Sequence, residues 1–172
     1  MKYHNFHAMD DIFRSAEMRS KKYIKTDALS EFQQKLLQFT SGTEETRETR
    51  QRIGQDVFRK YLMLYWDGRC AISGIDEAKL LRASHIKPWS ECATDAERLT
   101  PFNGFLFAAH VDAAFDAGLI SFSDTGALLL SPSLSQSNFK ALGIAVDARL
   151  ELEDEHRAFL RFHRERFGFG PD

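Results

Sequence analysis

No part of this chain constrains the fold more than the stretch from Cys70 to Phe122, CAISGIDEAKLLRASHIKPWSECATDAERLTPFNGFLFAAHVDAAFDAGLISF. Within it, the run Leu80, Leu81, Arg82, Ala83, Ser84 leads to His85 and Ile86. Asn103-Gly104 then precedes a second apolar run, Phe105 to Ala109. An amphipathic pattern comes next, with Asp112 and Asp116 four residues apart. This order predicts a strand, a long connecting loop, a second strand and a helix, with polar groups gathered where the three meet. On a helix, residues four apart share a face, so both carboxylates point the same way.

The flanks add mainly helices. A helix is expected over about 9–24, ending in the basic cluster Arg19, Lys21, Lys22, Lys25, which is either a solvated helix end or a phosphate contact. From Asp27, Leu29, Phe32, Leu36 and Phe39 recur at helical spacing, and the pattern breaks at Thr40-Ser41-Gly42. A longer helix is expected over about 45–65, with Ile53, Val57, Tyr61 and Leu64 on one face. Its arginines, Arg47, Arg50, Arg52 and Arg59, either meet phosphate or pair with acids along the helix. Asp67-Gly68 then turns into a strand over Cys70–Ser73. Downstream, Leu119–Phe122 and Ala127–Ser131 read as a hairpin, and Glu153–Phe167 as a last helix. The break near residue 42 divides the chain into an N-terminal helical extension, 1–42, and a main domain, 43–172.

At 172 residues the chain is long enough for one well-buried core, and its 15 phenylalanines predict aromatic packing there. A net charge of −2 argues against a general nucleic-acid coat protein. It leaves room for a local basic face, since the first sixty residues carry an excess of Lys and Arg and residues 61–144 an excess of acids. Cys70 and Cys92 are two isolated cysteines, which excludes a four-cysteine zinc site and fits a reducing, cytoplasmic location. Neither a secretory leader nor a membrane-spanning run is expected.

The motifs ASHIKPW, PFNG and VDAAFDAGLISF resemble those of the HNH nucleases, the His-Me finger or ββα-metal group. They are most similar to the bacterial subgroup of restriction-type and genome-defence endonucleases. The likeness runs from about Arg47 to Phe167, taking in RQRIGQDVFRKYL and FLRFHRERF. It implies an α+β fold: a ββα-metal core with an added hairpin and flanking N- and C-terminal helices. It also implies metal-dependent cleavage of DNA.

Phosphodiester hydrolysis needs a water deprotonated, charge on the phosphorus oxygens stabilised, and the 3′ oxygen helped to leave. By the resemblance, His85 is the general base, a task that suits a neutral imidazole. Asn103 matches the asparagine that braces the loop and holds the base histidine's backbone; its plainer alternative is a turn residue. Asp112 falls nine residues after Asn103, at the last position of the signature, and Asp116 lies one turn later. Two hard oxygen donors suit one Mg²⁺, with Mn²⁺ or Ni²⁺ as alternatives. Many relatives carry a further ligand just before the base, where this chain has Ser84; its hydroxyl or a water is expected to complete the shell. Lys87, Trp89 and His110 are expected to contact substrate, with a core cap as the alternative for Trp89 and a metal ligand for His110. His163 and Arg164 are expected to brace the site.

One finger cuts one strand, so a homodimer suits double-strand cleavage, and the absence of a DNA-reading motif suits a separate recognition partner. The rival readings are a DNA-binding or scaffold protein with a weak or inactive site on the same fold, and an effector nuclease that depends on that partner.

Overall fold

The structure is a computed structural model that describes residues 27–38 and 47–170. The helix expected over 9–24, its basic cluster, Phe39 and the break at 40–42 lie outside those residues. Among the described residues no helix is long and apolar enough to cross a membrane.

Two helices come first, α1 (27–38) and α2 (Arg47–Tyr65). Ala28, Phe32 and Leu36 of α1 pack with Ile53, Val57, Phe58, Tyr61 and Leu62 of α2 in one buried cluster, so the two helices share a core. The Lys60–Glu31 ion pair at 2.5 Å ties them together at the surface.

The next segment corrects one expectation. Cys70–Ser73 is a turn, because Cys70 N–H donates to Ile75 O (2.8 Å) and Gly74 N–H to Cys70 O (3.1 Å), folding the segment on itself. One bond, Ala71 N–H to Leu106 O at 2.8 Å, moors it to the sheet. The Cys70 side chain is buried and unoxidised, a small apolar filler.

Strands β1 (Leu81–His85) and β2 (Gly104–Ala108) form an antiparallel pair in which His85 lies opposite Gly104. Every residue of β2 is buried. Because strand side chains alternate between faces, protein must cover both sides of this pair. Between the strands run a short 3₁₀ turn (Trp89–Glu91), helix α3 (Asp95–Leu99) and a second 3₁₀ turn (Pro101–Asn103). The Thr94 hydroxyl caps α3 by accepting from Glu97 N–H. Gly104 is required by close approach. A Cβ there would lie 2.4 Å from Phe58 Cζ and 2.9 Å from Ser84 O. Its φ of −166° is ordinary extended backbone, so conformational freedom plays no part.

Helix α4 (Ala109–Asp116) leaves β2 directly and packs back on both strands. Strands β3 (Ile120–Phe122) and β4 (Leu128–Leu130) form a second antiparallel pair, succeeded by α5 (Gln136–Ala141) and α6 (Asp154–Phe167). Phe105, Phe107, Phe115 and Phe122 join β2, α4 and β3 in one aromatic core, with ring centroids 5.1–6.1 Å apart. Helix α6 closes it. Arg164, 4% exposed, donates to Phe122 O (2.9 Å) and pairs with Asp124 (2.7 Å), pinning α6 to the hairpin. The architecture is α+β.

Candidate active site

His85 is the last residue of β1, where the strand gives way to Ile86-Lys87-Pro88. Its ring stacks on Phe58 of α2 (centroids 3.7 Å, planes 16° apart) and meets the Trp89 ring edge-on. Nε2 lies 2.8 Å from Arg98 O. A carbonyl can only accept, so Nε2 carries the proton and Nδ1 holds the free lone pair. Enclosure between two aromatic rings pushes the pKa down to about 4, against a smaller upward pull from the Arg98 carbonyl. The imidazole is therefore neutral at ordinary pH.

Asn103 lies behind His85, fully buried. Its Oδ1 accepts from Lys87 N–H (2.8 Å), and its Nδ2 donates to Lys87 O (3.2 Å), Glu97 O (3.1 Å) and the Cys92 sulfur (3.3 Å). Its own carbonyl takes Ile86 N–H at 3.1 Å. One side chain thus bridges both limbs of the 86–103 loop within two residues of His85. Arg98 staples the same loop from outside, donating to Trp89 O (3.1 Å), Cys92 O and Asp95 Oδ1 (3.1 Å).

A cleft of about 430 Å³ brings His85 together with Ser84 of β1, Asp112 and Asp116 of α4, and His163 and Arg166 of α6. Asp116 sits at the rim. Solvent reaches the residue, yet the protein around its carboxyl and the neighbouring Asp112 charge raise its pKa to about 6, against a downward pull from the Ser84 hydroxyl. Neither aspartate has an ion-pair partner among the described residues. Ser84 is 3% exposed, and its Oγ makes no well-formed hydrogen bond even though it faces Asp116. Two unneutralised carboxylates beside an orphaned buried hydroxyl form a hard-oxygen donor set. Among the described residues no group of three His, Cys, Asp or Glu closes a metal cage. The set therefore fits a cation that keeps waters, such as Mg²⁺, better than a structural zinc.

Lys87, Trp89 and His110 lie apart from the cleft lining, while His163 forms part of its wall. Lys87 Nζ is engaged by Glu97 at 2.6 Å, which raises the lysine pKa, and it lies over the Phe162 ring. Trp89 turns its indole against Gly54 of α2, where a Cβ would come within 2.1 Å of the ring edge, so it packs on the core. His110 is exposed on α4. His163 is buried and structural: it stacks on Phe115 (3.8 Å), its Nδ1 accepts from Ser121 Oγ (3.0 Å), and its Nε2 donates to Phe115 O (3.1 Å).

Residues 70–123 match the family model described as HNH endonuclease. The match supports a nuclease domain of HNH type and covers 54 of the 172 residues, from the turn at Cys70 through β3. No curated protein matches the chain. The HNH segment holds His85, Asn103, Asp112 and Asp116, whereas Phe58, which faces the His85 ring, and the α6 wall of the cleft lie outside it. Arg82 and Arg166 also line the cleft, beyond the residues that the motifs pick out. Strand alternation puts Arg82 on the same face as Ser84, so the sequence does carry a signal for it. Arg166 pairs with Glu91 across 75 positions, a contact without sequence signature.

The two enclosed histidines make stability pH-dependent. Burial lowers both His85 and His163 from 6.5 to about 4. Between those values the unfolded chain takes up protons that the folded chain refuses, so their contribution is complete above about pH 6.5 and declines as pH falls towards 4. Asp116, raised to about 6, works the other way and offsets part of the loss. The urea midpoint is expected to fall between about pH 7 and pH 5. A midpoint that stays constant across that window would contradict the assigned environments.

Proposed function

We infer that the protein is a metal-dependent endonuclease of HNH type acting on DNA, in restriction or genome defence, with β1, β2 and α4 as its ββα-metal finger. The observation that carries this reading is the single cleft lined by His85, Ser84, Asp112 and Asp116. In it, His85 accepts the proton of the attacking water at Nδ1, because Nε2–H is committed to Arg98 O. Asp112 and Asp116, with the Ser84 hydroxyl or a water, hold one Mg²⁺, or Mn²⁺ or Ni²⁺ in its place. When bound, the ion supplies positive charge to the phosphate oxygens and the leaving 3′ oxygen. Arg82 and Arg166 grip neighbouring phosphate oxygens, for which Arg166 must leave Glu91. Asn103 keeps the loop in register and transfers no proton. Lys87, Trp89 and His110 serve as outer substrate contacts, Lys87 only after release from Glu97. Duplex cleavage uses two copies of the chain, and sequence choice falls to a partner.

Plasmid cleavage with EDTA, Mg²⁺, Mn²⁺ and Ni²⁺ tests this reading, paired with calorimetric Mn²⁺ titration of wild type and Asp112→Asn. Wild type cuts only with metal. Asp112→Asn loses more than the roughly 10–100-fold that loss of an outer-shell partner costs, and its Mn²⁺ affinity falls with it. Metal binding without cutting would favour the inactive-site alternative, which rests on Ser84 standing where many HNH proteins place a ligand. Cutting in EDTA would remove the metal from the mechanism.

A further inference from the structure

The cleft alone is a poor place to hold a polyanion. Its two arginines, Arg82 and Arg166, are equalled in number by the unpaired Asp112 and Asp116, Arg166 is already engaged by Glu91, and the whole chain is net negative. Positive charge gathers in a second cavity of about 340 Å³, lined by Arg47, Arg50, Gln51, Trp89, Asp95 and Arg98. Three guanidinium groups face one carboxylate there. Asp95 pairs with both Arg50 and Arg98 and so fixes the two side by side. Arg98 commits three donors to Trp89 O, Cys92 O and Asp95, and a guanidinium has five.

Arg47 is the telling residue. It is exposed and has no ion-pair partner among the described residues. The cavity adjoins the reaction centre through Trp89, whose ring is 5.8 Å from that of His85. A DNA strand carries a phosphate every 3.4 Å or so of helix rise, so a strand that leaves the cleft along Trp89 would present its next phosphates to this cavity.

We propose that this cavity is a second phosphate subsite, holding the DNA backbone next to the bond that is cut. The proposal rests on the nuclease reading and adds where the flanking strand is gripped.

The test is fluorescence anisotropy of a short labelled duplex in EDTA over a salt series, with wild type, Arg47→Glu, Arg47→Lys and Lys140→Glu. Lys140 is an exposed lysine on α5 and controls for net charge. Arg47→Glu weakens binding about tenfold and lowers the slope of log affinity against log salt by about 1. Arg47→Lys retains most of the slope, and Lys140→Glu retains the wild-type values. The thermal midpoint of Arg47→Glu does not fall, because the exposed side chain has no ion pair among the described residues to lose. Unchanged affinity and slope in Arg47→Glu, equal losses in Lys140→Glu, or a wild type that does not bind duplex would each overturn the subsite. Failure of the nuclease reading shows separately, as absence of metal-dependent nicking by wild type from the same preparation.

Discussion

His85→Ala lowers the rate of DNA cleavage about 10²–10⁴-fold, the range expected when a positioned general base is removed. DNA affinity measured in EDTA stays at the wild-type value, since the imidazole contributes a proton acceptor and no charge. The alanine variant also loses the Phe58 stack and leaves the Arg98 carbonyl without its donor. A part-buried carbonyl left without its donor costs up to about 1–3 kcal/mol, enough to disturb the loop and lower activity on its own. His85→Gln separates the two effects. Its amide can still donate to Arg98 O, yet it has no basic nitrogen. Equal inactivity of both variants, with a smaller loss of urea midpoint for glutamine, identifies proton abstraction as the missing function. A glutamine variant that cuts at the wild-type rate would rule His85 out as the base.

Asn103→Ala is expected to be among the most destabilising single changes in the chain. It strips the Asn103 bonds from Lys87 N–H, Lys87 O and Glu97 O around a fully buried side chain, and each group left unsatisfied costs up to about 1–3 kcal/mol. Cleavage falls as well, because the Lys87 backbone it releases is two residues from His85. Asn103→Asp tests the geometry more sharply. The aspartate can still accept from Lys87 N–H, but it sets a second carboxylate oxygen against two carbonyls and a sulfur that need a donor. Aspartate should therefore be no better than alanine despite its near-identical shape. Urea denaturation of both variants checks this, and an aspartate variant as stable as wild type would refute the bracing role.

How much of the fold and site is legible in the sequence depends on the range of the interactions involved. The two strands and α4 can be read from apolar runs and from the four-residue spacing of the aspartates, since strand and helix periodicity are local. The segment Cys70–Ser73 looks like a strand by composition, yet hydrogen bonds between Cys70, Gly74 and Ile75 close it into a turn. Asn-Gly at 103–104 looks like turn chemistry. Instead Asn103 is placed by its side-chain network, and Gly104 by a phenylalanine 46 positions earlier. The Arg98 carbonyl that sets the His85 tautomer is a backbone atom, on which residue identity leaves no mark. Lys87 reads as free cationic charge, but Glu97, ten residues on, engages it.

The two aromatic stacks have a consequence for engineering. One face of the His85 ring is supplied by Phe58, and one face of Phe115 by His163, both from outside the 70–123 span that matches the family. That span is consequently not a transplantable cassette. Moved into a foreign host without α2 and α6, it would carry every residue of the signature and lack the walls that flank the imidazole and keep α4 seated. In this chain the unit of recognisable ancestry is smaller than the unit of folding.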